Sequence, residues 1–132
     1  LTKKHISDVF LQFGQIQNFL DDLDEFENYK SEYLRGFFQM QNVLIERTMA
    51  SEEGQELYIF LTRLQNQFGI NSEENLSILK AYDKSLHKRL ISNSQSAKDL
   101  FKECESGIDN EPNWKIVGLF FKKLIGLNKI KQ

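Results

Sequence analysis

The 132-residue chain carries 17 basic and 19 acidic residues, and its net charge of −2 excludes the broad basic field that a general nucleic-acid-binding protein needs. Hydrophobic residues make up 40% and charged residues 27%, a balance that excludes a disordered chain and predicts a single globular domain over residues 1–132. The one cysteine, Cys104, cannot form an internal disulfide, and no apolar run is long enough for a membrane-spanning helix. These features favour an intracellular, cytoplasmic protein.

Helical periodicity begins near the amino terminus. Ser7 is a candidate N-cap for a first helix over residues 7–27. The core face predicted for this helix follows steps of four and three residues and consists of Val9, Phe13, Ile16, Leu20 and Leu23, with Phe10, Phe19 and Phe26 beside it. A soft break near Asn28 separates it from a second predicted helix over residues 30–49.

Serine and glycine mark the limits of the next two predicted helices. The third helix starts at Ser51 and ends at Gly69, because glycine readily adopts the left-handed conformation of a C-cap. Asn71 or Ser72 then caps a fourth helix, whose apolar face continues to Leu90.

The remaining chain predicts two further helices. A polar connector over residues 92–96 leads to a short helix over 96–105 and a turn over 107–111. Pro112 then suits the first position of a terminal helix, which extends through residues 114–130. No alternating strand pattern is present, and short loops favour antiparallel neighbours. The sequence therefore predicts an all-α fold, a single compact antiparallel bundle of five or six helices.

The terminal helix is basic and strongly apolar. The last twenty residues contain ten large apolar side chains, five lysines and no acid, so they carry +5, while the preceding 112 residues hold 12 basic and 19 acidic residues and carry −7. Three lysines, Lys115, Lys122 and Lys129, share one narrow helical stripe, and Trp114 lies on the wide apolar arc. An arc this wide favours burial against the bundle, with docking on a partner or on a membrane surface as alternatives.

The segment 21–27 holds five acids in seven residues. Calcium would need alternating oxygen ligands and a central glycine, whereas Leu23 and Phe26 follow helical spacing here. We therefore interpret the segment as a solvated helix face. Its acids oppose the dipole at a helix C-terminus, and the terminal lysines are the obvious partner for them.

Candidate catalytic groups are few. Asp83 and His87, four residues apart, predict a polar pair at the rim of the core, with a metal half-site or a carboxylate-oriented imidazole as alternatives. No nucleophile motif, phosphate-binding glycine cluster or cofactor signature occurs. The sequence therefore predicts no catalytic residue, no cofactor and no metal ligand, and an enzyme whose carboxylates assemble only in space is the remaining alternative.

Aromatic residues are abundant, with 11 Phe, 4 Tyr and one Trp. This surplus predicts that some of them form an exposed contact patch or a dimer face. The candidate interaction residues are Tyr29, Tyr33, Phe37, Phe38, Trp114, Lys115, Lys122 and Lys129. We expect a non-enzymatic helical interaction domain with an adaptor or regulatory role, which binds another protein or a second copy of itself. The alternative is a peripheral membrane-associated protein that acts through the basic amphipathic C-terminal helix.

Overall fold

Five helices account for nearly all of residues 1–102, the part of the chain that the computed structural model describes. They are α1 (Lys3–Asp22), α2 (Phe26–Ala50), α3 (Gly54–Phe68), α4 (Glu73–Tyr82) and α5 (Lys84–Leu100). These residues contain no strand, so the predicted all-α class is confirmed for them. None of the five helices is long and apolar enough to cross a membrane. The turn predicted over 107–111 and the terminal helix predicted to begin at Pro112 lie outside the described residues, as does Cys104.

The first helix starts and ends earlier than predicted. Thr2, not Ser7, caps α1, because its Oγ1 accepts a hydrogen bond from the backbone N–H of His5 at 3.2 Å. The helix ends at Asp22, and Asp24 adopts a left-handed conformation with φ of 56°. Aspartate tolerates this conformation better than most residues. The chain therefore turns before Phe26 rather than near Asn28.

The break between α3 and α4 follows the prediction. Gly69 has φ of 63° and forms the C-cap of α3, and the N–H of Ile70 donates to the carbonyl of Gln65 at 3.3 Å. Ser72 then caps α4, since its Oγ accepts from the N–H of Asn75 at 3.2 Å. The start of α3 lies at Gly54, three residues after the predicted Ser51.

The predicted fourth helix is two helices. It breaks at Asp83, whose Oδ1 accepts from the N–H of Leu86 at 3.0 Å and so caps α5. The predicted polar connector over 92–96 lies inside α5, and the part of the predicted helix over 96–105 that lies within the described residues continues α5 to its end at Leu100. Asn93 illustrates why, because its Nδ2 donates to Asn42 Oδ1 at 2.7 Å and to Glu46 Oε1 at 3.0 Å. Polar side chains on α2 therefore satisfy polar residues that would otherwise favour a loop.

Contacts between α1 and α2 run in opposite order along the two helices. The Phe13 ring stacks on Phe37 with centroids 4.5 Å apart, while Gln17, one turn later, meets Tyr33, one turn earlier, at 3.4 Å. Side-chain contacts join α2 to α3 as well, where Gln65 Nε2 donates to Gln41 Oε1 at 3.0 Å in the buried interior.

Contacts between α2 and α5 run in the same order. Arg35 Nε donates to Asp83 Oδ2 at 2.9 Å, and Asn42 meets Asn93 further along both helices. The two helices are therefore parallel, and the prediction of antiparallel neighbours is wrong for this pair. The reason is that α3 and α4 lie between them in the chain and return it to the end of the molecule where α2 begins.

The core surrounds α2, which contacts each of the other four helices. From α1, Phe10 packs its ring against Phe37 at 5.4 Å and Phe68 at 5.3 Å, and thereby ties α1 to both α2 and α3. At the other end, Phe101 stacks on Tyr58 with centroids 4.9 Å apart. The interior is mainly aliphatic and aromatic, and its largest fully buried apolar side chains are Phe10, Phe38, Ile6, Leu57, Leu61, Leu64, Leu79 and Leu86.

Candidate interaction surface

An exposed apolar surface lies where α1 ends and α2 begins. Its members are Ile16 (44% exposed), Phe19 (53%), Leu23 (55%) and Tyr29 (51%), and we call them the α1–α2 surface. Ile16 and Phe19 of α1 and its C-cap Leu23 are spaced by three and four residues, so they lie along one helical stripe. The sequence predicted Ile16 and Leu23 as part of the core face, with Phe19 beside it. The buried residues of α1 are instead Ile6 and Phe10, on a different face of the helix.

A groove between the two helices opens onto this surface. It has a volume of about 330 Å³, and its walls are almost entirely apolar, formed by Phe13, Ile16, Leu20, Tyr29, Glu32 and Tyr33. Two of the lining residues are joined across the helices, because the hydroxyl of Tyr33 donates to the carbonyl of Phe13 at 3.0 Å. Burial, and then the nearby charge of Asp21, raise the pKa of Tyr33 well above its usual range, so this hydroxyl remains a donor.

Acidic residues are concentrated at the α1–α2 turn, and one acid, Glu32, lines the groove. Between positions 21 and 32 the chain holds six acids and one base, Lys30, which pairs with Glu74 at 3.3 Å. The structure corrects the prediction of one continuous acidic helix face, because the acids divide between the end of α1, the turn and the start of α2. Most of them are exposed, namely Asp21, Asp22, Asp24, Glu27 and Glu32. We call these five residues the acidic rim.

The structure separates the predicted interaction residues into three groups. Tyr29 lies on the α1–α2 surface, half exposed. Tyr33, Phe37 and Phe38 are 8%, 3% and 0% exposed, so the expectation that they form a surface patch is wrong. They are buried because helices α1, α3, α4 and α5 all pack against α2, so that little of its surface is left to solvent. The others, Trp114, Lys115, Lys122 and Lys129, lie outside the described residues.

Sequence reasoning missed Ile16, Phe19 and Leu23 as surface residues. Their spacing is helical, and helical spacing does not distinguish an apolar stripe that faces the core from one that faces solvent. The available signal was the acidic segment that follows them directly. Such a concentration of charge is difficult to bury, so it favours exposure of the neighbouring helix end.

Asp83 does not form the side-chain pair with His87 that the spacing predicts. Its carboxylate instead accepts from the N–H of Leu86 and from Arg35 Nε, while His87 is half-buried in the first turn of α5. The hydrogen bond from Leu86, followed by that from Arg35, holds the pKa of Asp83 below its usual range. Asp83 therefore acts as a helix cap that fixes the start of α5 against α2.

This geometry predicts a pH-dependent effect of Asp83→Asn. A lowered pKa in the folded state means that the carboxylate stabilises the fold above its unfolded pKa of about 3.9, and that this contribution is lost as the pH falls through the lower folded value. We expect the variant to be less stable than the wild type near pH 7 and to approach it in acid, measured by urea unfolding at several pH values. Arg35→Gln, which removes the second cause of the lowered pKa and leaves the hydrogen bond from Leu86, should give a smaller difference. A difference between wild type and Asp83→Asn that does not change with pH would contradict the assignment.

Carboxylates do not assemble in the interior of the described part. None of the Asp or Glu residues between positions 1 and 102 is buried, and no three His, Cys, Asp or Glu side chains there are grouped so that they could hold a metal ion. The carboxylates of residues 1–102 thus lie at the surface, and their strongest concentration is the acidic rim.

Comparisons of the chain with protein-family models, with curated proteins and with solved structures find no match. Function must therefore be inferred from the molecule itself. Within residues 1–102, the α1–α2 surface and its acidic rim are the features that combine exposed apolar area, a groove and a concentrated charge.

Proposed function

We propose that this chain is a non-enzymatic helical interaction domain, which binds a basic amphipathic segment of a partner protein at the α1–α2 surface. The observation that carries the proposal is an apolar groove that lies beside exposed apolar side chains and the acidic rim. A partner helix with large apolar side chains on one face and Lys or Arg beside them is complementary to both features.

The apolar component of the surface is concentrated rather than scattered. Seven large hydrophobic side chains are exposed within residues 1–102, and four of them lie between positions 16 and 29, at the end of α1 and the start of α2. Single exposed hydrophobic residues are normal on soluble proteins, whereas contiguous patches with a polar rim are typical of binding sites. The groove between the helices also gives the patch a concave shape, so that apolar side chains of a partner can lose their contact with water.

The negative charge of the acidic rim favours a basic partner. The acids of the rim repel one another, and Asp21 and Asp22 lie at the C-terminus of α1, where the helix dipole disfavours negative charge. A basic partner relieves both effects. In a symmetric dimer through this surface, the acidic rims of the two protomers would face each other. Their like charges would repel, so charge disfavours a homodimer here. Anionic lipid is disfavoured for the same reason.

A synthetic helical peptide tests the proposal. The probe has leucine on one face and lysine on the other, and its matched control carries glutamate in place of each lysine. We expect the full chain to bind the lysine peptide in isothermal titration calorimetry, with affinity that falls as salt is added, and to bind the glutamate peptide far more weakly.

Two surface variants locate the binding site. Phe19→Ser should remove about 1–2 kcal/mol of binding free energy, which corresponds to roughly tenfold weaker binding, because the half-exposed ring loses its contact with the peptide. Leu100→Ser, an equally exposed apolar residue at the end of α5, serves as the control and should leave affinity unchanged. Equal binding of the two peptides, or no effect of Phe19→Ser, would overturn the proposal.

The membrane alternative rests on the basic residues 113–132, which lie outside the described part of the chain. Anionic phospholipid vesicles distinguish it from the proposal. Vesicle binding that persists in Phe19→Ser, together with no binding of the lysine peptide, would favour a peripheral membrane protein instead.

A further inference from the structure

A basic stripe runs along the solvent-facing side of α5. Its members are spaced alternately by four and three residues, so they share one face of the helix. All of them are exposed, and we call them the α5 stripe: Lys84, Lys88, Ile91, Gln95 and Lys98. The buried residues of this helix lie about 140° away from the stripe at 100° per residue, and they are Leu86, Leu90 and Ala97. The α5 stripe therefore points away from the helices on which α5 packs.

The α5 stripe combines positive charge with an exposed apolar side chain. Ile91 is 46% exposed and lies between Lys88, one turn before it, and Lys98, two turns after it. None of the three lysines of the stripe forms an ion pair within residues 1–102. The single acid of α5 is Asp99, whose Oδ1 accepts a hydrogen bond from Gln95 Nε2 at 3.0 Å. This outer face of α5 thus has the character of the basic amphipathic helix that fits the α1–α2 surface.

The α5 stripe and the α1–α2 surface lie on different sides of the molecule. On α2, the residues that contact α5 include Arg35 and Asn42, whereas Tyr29 belongs to the α1–α2 surface. At 100° per residue, Tyr29 leaves the helix about 130° away from these two side chains. The α5 stripe lies farther out still, on the side of α5 that faces away from α2. It can therefore reach the α1–α2 surface of another copy, but not that of its own chain.

We propose that the α5 stripe of one copy binds the α1–α2 surface of a second copy, so that the chain associates head to tail. This inference rests on the proposed function, because it identifies the basic partner helix as α5 of the same protein. Ile91 would pack against the exposed side chains of Phe19 and Leu23, while the lysines approach the acidic rim. Lys84 and Ile91 are seven residues apart, as are Ile16 and Leu23, and each pair spans about 10 Å of helix. Ionic and apolar contacts can therefore form together.

Charge favours this arrangement over a symmetric dimer and over a membrane. Two different surfaces meet in a head-to-tail contact, so positive charge faces negative charge rather than its own kind. Each bound copy keeps one free α5 stripe or one free α1–α2 surface, and association can continue into a chain or close into a ring. Anionic lipid would also attract the lysines of the stripe, but it offers no complement to the acidic rim.

Sedimentation velocity of the full chain tests the proposal. We expect the sedimentation coefficient to rise with protein concentration at low salt and to return to the monomer value at high salt, because salt screens the charged contact. The leucine–lysine peptide should also restore the monomer, since it occupies the α1–α2 surface. A wild-type chain that remains monomeric at every concentration at low salt would overturn the proposal.

Two double variants each remove one half of the contact. Lys84→Glu with Lys88→Glu reverses the charge of the α5 stripe, and Phe19→Ser with Leu23→Ser removes exposed apolar area from the α1–α2 surface. We expect each variant alone to associate roughly tenfold more weakly than the wild type, with unchanged helical circular dichroism. The control reverses the same number of charges at the exposed start of α1, by Lys3→Glu with Lys4→Glu, and should associate like the wild type.

Mixing the two variants gives the sharpest result. The stripe variant retains its α1–α2 surface and the surface variant retains its α5 stripe, so one intact contact can form between them. An equimolar mixture should therefore contain dimers with one copy of each variant and no larger species. A mixture that stays monomeric, or a stripe variant that associates like the wild type, would overturn head-to-tail binding.

The stripe variant also separates this inference from the proposed function. If the wild type is monomeric but the stripe variant binds the lysine peptide, head-to-tail association is wrong and the proposed function stands. If neither protein binds the peptide, both proposals fail. A monomeric wild type that binds anionic vesicles through the stripe, with loss of that binding in the stripe variant, would assign the α5 stripe to lipid and overturn the inference.

Discussion

Phe10→Ala is expected to lower the free energy of unfolding by about 3–5 kcal/mol, the largest single-residue effect that we expect for this chain. Phe10 is fully buried, and its ring touches Phe37 of α2 and Phe68 of α3. The substitution removes most of the buried side chain and leaves a cavity that helices held by several other contacts cannot readily close. Urea unfolding followed by circular dichroism measures the loss.

Phe19→Ala is the matched control, because it makes the same chemical change on the same helix. Phe19 is 53% exposed, so we expect a loss of about 1 kcal/mol or less. A comparable loss in the two variants would mean that α1 presents a different face to the core.

Gly54→Ala is expected to destabilise the fold by about 1–3 kcal/mol, although alanine favours helix over glycine by up to about 1 kcal/mol. Gly54 is the first residue of α3. A Cβ there would lie 2.8 Å from the carbonyl oxygen of Thr48 and 2.8 Å from the Phe101 ring. Both distances are too short for carbon, and the Thr48 carbonyl belongs to the backbone of α2. The substitution therefore forces the α2–α3 turn and the Phe101 stack apart.

Gly36→Ala provides the control with the opposite sign. Gly36 lies within α2, and a Cβ there would meet the Phe13 ring at 3.5 Å, an ordinary contact distance. We expect this variant to be more stable by about 0.5–1 kcal/mol, because propensity acts without a clash. The midpoints of thermal unfolding of both variants measure these changes. A Gly54→Ala variant more stable than the wild type would contradict the close contact of a Cβ at this position with Thr48 and Phe101.

Local signals in the sequence predicted those parts of the fold that local chemistry determines. Gly69 ends α3 because its backbone must be left-handed, and Ser72 begins α4 because its hydroxyl reaches the N–H of Asn75. Both requirements are visible in a few neighbouring residues. The all-helical class followed likewise from spacing and from the single proline.

The errors concern residues whose environment is set by distant parts of the chain. Asp83 divides the predicted fourth helix because it caps α5 through the N–H of Leu86, and Arg35, 48 residues earlier, also binds its carboxylate. Asn93 sits within a helix because Asn42 and Glu46 satisfy its amide. The candidate site shows the same limit, since Phe37 and Phe38 are buried only because four helices enclose α2. No local pattern in the sequence carries that information.

The parallel arrangement of α2 and α5 has a consequence for chain entropy. Contacts between α1 and α2 join residues 16 to 27 positions apart, whereas those between α2 and α5 join residues 47 to 51 positions apart. Because the entropy lost in closing a loop grows with the logarithm of its length, the second closure costs roughly 0.7 kcal/mol more than the first. Once α1, α2 and α3 have packed, the intervening chain is already shortened and much of that difference disappears. Docking of α5 is therefore favoured most when the first three helices are already in place.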